Sequence, residues 1–228
     1  MIKRLVNRIK QRKYNSLNQL DRQLEKYVDY DDGYFVEIGA NDGVAQSNSL
    51  YFEKYRGWHG MLIEPSQNNF IKCRKNRSLQ STIYCAACVA FDYKEEFVRM
   101  VYSNLMSTAL SIDSDILDPE AHAKSGLRHL QESEILFEYG AIARKLNDLL
   151  NESHAPKVID FLSLDVEGSE LDVLKGVDFK EYRFKYILVE CRDFDRMNQY
   201  LSLMNYRFLK TMSIHDYLFT SETKSELQ

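Results

Sequence analysis

The run Tyr34-Phe35-Val36-Glu37-Ile38-Gly39-Ala40-Asn41-Asp42-Gly43 starts as five strand-forming residues and breaks at a glycine. A short apolar segment of that length suits a buried strand better than a helix. A polar loop over residues 40–46 then leads into a helical pattern over residues 47–55. Beyond Gly57, residues 59–64 repeat the strand pattern and stop at Pro65, which suits the first turn of a helix over residues 67–76. Residues 82–87 read as a third strand. Strand–helix–strand–helix–strand is the order of a parallel sheet with right-handed crossovers.

Further along, residues 97–102 alternate as a strand, and residues 103–134 form a long polar stretch without firm periodicity. A loop of that length inside a compact domain is read here as a lid or substrate loop. Residues 140–152 (GAIARKLNDLLNE) predict an amphipathic helix, and residues 158–164 a strand. A helix over residues 169–175 opens on Ser169-x-x-Asp172 and stops at Gly176. A fifth parallel strand over residues 186–190, a helix over 195–204 and a hairpin from 206–211 with 216–220 complete the chain. The fold predicted is α/β, doubly wound and Rossmann-like, with about seven strands, mostly parallel, and a C-terminal antiparallel hairpin. Residues 1–30 read as a separate helical segment and residues 31–228 as the domain.

A chain of 228 residues with 44% hydrophobic and 28% charged residues is one ordinary globular domain, not a disordered chain. No stretch nears ~18 apolar residues, and the start lacks a secretory pattern, so a cytoplasmic protein is expected. Residues 1–13 hold six Lys/Arg and no acid, leaving 24 basic against 34 acidic residues elsewhere. An acidic body of net −10 argues against nucleic-acid binding. The basic start carries an apolar stripe, Ile2, Leu5, Val6 and Ile9, of the kind that lies weakly on the inner face of an anionic membrane or packs on the domain. Oligomeric state is left open. Cys85 and Cys88 sit in a strand-like run that sends them to opposite faces, so they read as structural thiols. The five histidines show no metal-ligand spacing; His122 and His129 fall in the polar insert.

Chemistry concentrates at the strand ends. Gly39 and Gly43 flank the exit of the first strand, where open α/β sheets bind ligands. A dinucleotide turn wants glycine where Asn41 stands, and the carboxylates Glu37 and Asp42 would repel a pyrophosphate. They favour the sulfonium and ammonium of S-adenosylmethionine. Glu64, 21 residues past Gly43, stands where a carboxylate accepts both ribose hydroxyls. Asp165 leaves the end of a buried strand, where a carboxylate without a duty is costly. Glu167 follows, then Gly168 turns the chain into a helix.

EIGANDG (residues 37–43), IEPS (63–66), LSLDVEGSELDVLKGV (162–177) and ILVECR (187–192) together resemble the FkbM family of S-adenosylmethionine-dependent methyltransferases. The resemblance runs from Tyr34 to Arg192. It implies a class I methyltransferase fold and O-methyl transfer, often to sugar or polyketide hydroxyls. Ser163 departs from the lysine many relatives have there, which weakens any inference about acceptor. The expected cofactor contacts are Glu37, Gly39, Ala40, Asn41, Asp42, Gly43, Glu64, Pro65, Ala86 and Asp165.

Transfer from a sulfonium to a sugar hydroxyl needs alignment and a group that takes the hydroxyl proton. Asp165 is the first catalytic candidate, with Glu167 and Glu190 beside it. Asp165 and Glu190 also suit a magnesium or manganese ion, and base and metal ligand stay open alternatives. In the insert, Ser103, Asn104, Ser107 and Thr108 are candidate substrate contacts. The acceptor expected is a hydroxyl of a sugar or glycan, in a glycolipid or polysaccharide precursor. A small natural product, or a nucleoside-binding domain without catalysis, are the competing readings.

Overall fold

The computed structural model describes residues 13–223. Seven strands make the main sheet: β1 (Tyr34–Ile38), β2 (His59–Ile63), β3 (Thr82–Tyr84), β8 (Val158–Leu164), β9 (Arg183–Glu190), β10 (Arg207–Thr211) and β11 (Asp216–Thr220). Their order is β10-β11-β9-β8-β1-β2-β3. β1 pairs in parallel with β2 and β8, as do β2 with β3 and β8 with β9. β11 enters antiparallel against β9 and pairs with β10 as a hairpin. This is the class I methyltransferase arrangement. The chain runs outward from β1 through β2 to β3, then returns to β1's other side as β8. The crevice of this sheet therefore opens at the carboxyl ends of β1 and β8.

Alternation along the strands fills both faces. Val36, Ile38, Leu162, Leu164, Ile187 and Val189 bury one side. Phe35, Leu62, Phe161, Tyr186, Leu188 and Leu218 bury the other, together with Leu20, Leu24 and Val28 from the N-terminal segment. Each such side chain contributes about 1.5–3 kcal/mol over leaving it in water. Trp58 is wholly buried in the second layer and donates from its indole to Tyr30 O at 2.8 Å.

A second, four-stranded sheet was not legible in the sequence. It holds β4 (Ala87–Cys88), β5 (Phe97–Tyr102), β6 (Thr108–Ala109) and β7 (Phe137–Arg144), in the order β4-β7-β5-β6. Two expected elements change because of it. The third strand ends at Tyr84, and Ala87–Cys88 leaves the main sheet to pair with Ala143 and Arg144. The helix expected over residues 140–152 begins only at Leu146, because residues 137–142 pair antiparallel with β5. Tertiary pairing overrides helix propensity here.

The helix expected over residues 1–30 is broken within its described part. Of residues 1–30, the first 12 and their apolar stripe lie outside the described residues. The rest holds only a 3-10 turn, Leu17–Gln19, and a helix, Leu20–Leu24. Asn18 and Gln19 take positive φ, and the Asp21 carboxylate closes the turn by accepting from Asn15 N and Ser16 Oγ. The insert 103–134 is likewise built: Asn104–Met106 and Gly126–His129 are 3-10 turns, and Pro119–Ser125 is a helix capped by Asp118. The four cysteines are free. Burial pushes the Cys88 thiol up to about 12, consistent with a packing role. No described helix is long and apolar enough to cross a membrane.

Candidate active site

A cavity of about 360 Å³ opens at the carboxyl ends of β1, β8 and β9, with the insert as its far wall. Gly39 makes the closest approach. It has φ +83, and a Cβ there would lie 1.7 Å from Asp165 O, so only glycine lets β1 and β8 end side by side. Gly39 and Ala40 donate their N–H groups to Ile63 O at 3.0 and 3.1 Å. Asn41, at φ 47, donates its N–H to Glu64 Oε2 at 2.8 Å. Glu64 Oε1 accepts from Ser66 N at 2.9 Å. Burial pushes the Glu64 carboxyl up to about 7, against the pull of these two amides. Each oxygen keeps a lone pair for a further donor.

On the other side, Asp165 and Glu190 end the neighbouring strands β8 and β9 and both line the cavity. The two carboxyl groups act on each other electrostatically, the charge of Glu190 raising Asp165. Burial pushes the Asp165 carboxyl well up, and the charges of Glu190 and Glu167 push it further. Glu190 rises through burial and through Glu167 and Asp216, with Arg192 pulling it back. The turn beyond Asp165 is held by Glu170, whose Oε1 accepts from Val166 N at 2.9 Å and Gly168 N at 3.0 Å. Ser169 makes no capping bond and Asp172 accepts instead from Ala90 N, so the expected Ser–Asp cap is replaced by Glu170.

Several sequence-derived site residues have other duties. Glu37 lines the cavity, but its carboxylate accepts from Ser47 Oγ, Ser49 Oγ, Asn48 N and the buried Arg77 guanidinium at 3.0 Å. Asp42 folds back onto Val44 N and Ala45 N, and a Cβ on Gly43 would meet the Arg77 and Cys73 side chains. The acidic turn expected to attract a cation is thus tied up internally; Glu64, Asp165, Glu190 and Asp216 line the cavity instead. Pro65 lines the cavity, whereas Ala86 lies behind it in the core. Asn104 and Ser107 line the cavity. Ser103 and Thr108 are wholly buried and donate to Ala123 O and Met106 O, so they face the insert's interior. Glu167, at φ 57, shares Oε2 with His122 Nε2 at 2.7 Å and Arg192 at 3.3 Å.

The sequence reading passed over that contact and over Asp115. Asp115 donates its N–H to Gly168 O, and its Oδ2 accepts from Arg192 N at 2.5 Å. Asn104 bridges the opposite wall, accepting from Asn41 Nδ2 and donating to Glu134. The insert is therefore pinned to the turns after both β1 and β8. A histidine and an aspartate within a polar stretch were the only signal, and no local spacing distinguishes them.

The residues fit S-adenosylmethionine. Glu64 suits ribose hydroxyls, and Asp165 and Glu190 suit the cationic end. Asn48 Oδ1, buried on the cavity wall, has no partner among the described residues. A second cavity of about 210 Å³ adjoins at Pro65, walled by Phe137, Ala141 and Tyr139, whose buried hydroxyl is also unpartnered. Aromatic walls of this kind can stack on a purine ring. A metal fits poorly: among the described residues no three His, Cys, Asp or Glu side chains gather as a metal site requires. The magnesium or manganese expected on Asp165 and Glu190 is therefore set aside, since Arg192 stands 3.6 Å from Glu190 where a cation would have to share it.

Strand order, the glycine turn after β1 and the carboxylate Glu64 at the end of β2 together define a methyltransferase domain of class I fold. Residues 37–208 match the Methyltransferase FkbM domain, and the chain belongs to that family. No curated protein matches its sequence. Among solved structures, methyltransferase FkbM from Methylobacillus flagellatus KT is similar at 16% identity and TM-score 0.47, over 84% of this chain and 44% of the other. TrmK of M. capricolum, in complex with S-adenosyl-homocysteine, is similar at 12% identity and TM-score 0.42, over 88% and 65%. Precorrin-6y C5,15-methyltransferase from Geobacter metallireducens GS-15 is similar at 13% and 0.42, over 89% and 86%. The chain thus spans less than two thirds of the length of the first two.

Proposed function

We propose that the protein is an S-adenosylmethionine-dependent O-methyltransferase acting on a hydroxyl of a sugar or glycan, as in a glycolipid or polysaccharide precursor. The observation that carries this reading is the Asp165–Glu190 carboxyl pair, facing the cavity beside Gly39 and Glu64. When bound, the cofactor supplies an electrophilic methyl group on a sulfonium. Glu64 holds the ribose through its two carboxylate oxygens, and the Gly39–Asn41 turn gives the cofactor close access to backbone. Asp165, its carboxylate made more basic by burial and by the charges of Glu190 and Glu167, accepts the acceptor's hydroxyl proton as the oxygen attacks in line. Glu190, at the end of the neighbouring strand, raises the basicity of Asp165 through its charge. The insert excludes water and offers Asn104 and Ser107 as polar contacts for a hydroxylated acceptor.

Weak membrane contact through residues 1–13 belongs to the same proposal, because lipid-linked glycan intermediates would then lie close by. Co-sedimentation of the full-length and residue 14–228 proteins with anionic vesicles tests it, and equal binding removes it. Methyl transfer from labelled S-adenosylmethionine to a panel of oligosaccharides, glycolipids and sugar nucleotides tests the activity. Label on a sugar oxygen is the expected result; label only on nitrogen or carbon acceptors would overturn it.

A further inference from the structure

Charge in the main cavity is laid out unevenly. Its strand-end wall holds Asp165, Glu190 and Asp216, and the arginine there, Arg192, is matched by Glu167 at 3.3 Å, Glu190 at 3.6 Å and Asp115 at 4.0 Å. The insert wall holds Arg128 and His129 instead. Arg128 Nε donates to His129 Nε2 at 3.0 Å, and its NH2 end lies 4.0 Å from Met106 Sδ. Among the described residues no carboxylate comes within ion-pair distance of Arg128. Arg128 is solvent-exposed and lines the cavity.

The pair is also held in place. Arg128 and His129 end the 3-10 turn Gly126–His129, and Gly126 is buried where an added Cβ would lie 2.2 Å from Ser103 Oγ. Ser103 in turn donates to Ala123 O, so the turn is seated against the helix before it. Because His129 Nε2 accepts from Arg128, the ring's remaining proton is on Nδ1. With Nε given to His129 and the NH2 end beside Met106 Sδ, the remaining guanidinium N–H groups and the ring N–H face no carboxylate among the described residues. That combination matches the oxygens of a phosphate or a carboxylate.

We infer that the methyl acceptor carries an acidic group, a phosphate or a carboxylate, held by Arg128 and His129 while its hydroxyl faces Asp165. This rests on the methyltransferase reading, which it narrows from any hydroxylated sugar to an anionic one. The carboxyl floor takes the cationic cofactor and the basic wall takes the anionic acceptor, so each substrate is steered to its own side.

Calorimetric titration of the full-length protein tests this in two stages. S-adenosylhomocysteine is titrated first; no binding there would remove the methyltransferase reading and this inference with it. Glucose 1-phosphate, glucuronate and glucose are then titrated into the loaded protein. At least one charged sugar is expected to bind tenfold or more tightly than glucose, and which one separates phosphate from carboxylate. Arg128→Gln should weaken that binding at least tenfold, Arg128→Lys should restore part of it, and the affinity for S-adenosylhomocysteine should stay within twofold. Equal or absent binding of all three sugars, or no effect of Arg128→Gln, overturns the inference. Loss of S-adenosylhomocysteine affinity in Arg128→Gln also overturns it, because Arg128 would then serve the cofactor's own carboxylate.

Discussion

His122 Nε2 lies 2.7 Å from Glu167 Oε2, joining the insert to the turn that follows β8. Arg192 reaches the same oxygen from the end of β9. Glu167 is thereby held from two sides, while Asp165 and Glu190 line the cavity. His122→Ala should free the insert without emptying the cofactor pocket. Cleavage within residues 103–134 by limited proteolysis should quicken about fivefold or more, with S-adenosylhomocysteine affinity changed less than twofold. Unchanged cleavage would mean that Asp115 and Asn104 suffice to pin the insert.

The ribose contact proposed at Glu64 predicts a pH-dependent affinity for the cofactor. The Glu64 carboxyl is raised to about 7, and the ionised form is the better acceptor for ribose hydroxyls. Lowering the pH through 7 protonates it, so affinity falls in acid. The dissociation constant for S-adenosylhomocysteine should rise about tenfold between pH 8 and pH 6, since one pKa unit is about 1.4 kcal/mol. Glu64→Gln should bind more weakly at pH 8 and lose this dependence. A wild-type affinity flat across that range would place the ribose elsewhere.

Glu170 links the site's turn to stability. Its folded pKa, about 8, lies above the ordinary carboxyl value, so the folded state favours the protonated form. Its contribution to stability is full below about pH 4.5 and is lost as pH rises through 8. Glutamine keeps an oxygen for Val166 N and Gly168 N and carries no charge. Glu170→Gln should therefore melt several degrees higher than wild type at pH 8.5, with the gain shrinking toward pH 5. A lower melting temperature at both pH values would show that the ionised carboxylate is what the turn requires.

The main sheet could be read from the sequence because its strands are short apolar runs bounded by Gly33, Gly39, Gly57 and Pro65. The small sheet could not, because it depends on β5 pairing with β7 some forty residues away. GAIAR looks helical beside Leu146 and Leu150, and only the partner strand makes it extended. Glu64 and the strand-end Asp165 stood out for the same reason: charge at the end of an apolar run. Glu37 stood out too, but its partner Arg77 lies forty residues on, and only the fold shows that the two neutralise each other. The insert's anchors at Asp115, His122 and Arg192 are long-range polar contacts, to which hydrophobic periodicity is blind.

Asp165→Asn should keep the cofactor and lose the chemistry. Asparagine preserves the side chain's size but cannot take a proton from a hydroxyl. Turnover should fall by about 10²-fold or more, with S-adenosylhomocysteine affinity within threefold. Turnover at the wild-type rate would remove Asp165 from the mechanism and leave Glu190 as the base.

Calorimetric titration of the full-length protein with S-adenosylhomocysteine and, separately, with NAD tests the methyltransferase assignment most directly. One site for S-adenosylhomocysteine is predicted, weakened at least tenfold by Glu64→Ala, with NAD binding far more weakly. NAD binding more tightly than S-adenosylhomocysteine, or a Glu64→Ala affinity equal to wild type, would contradict the account.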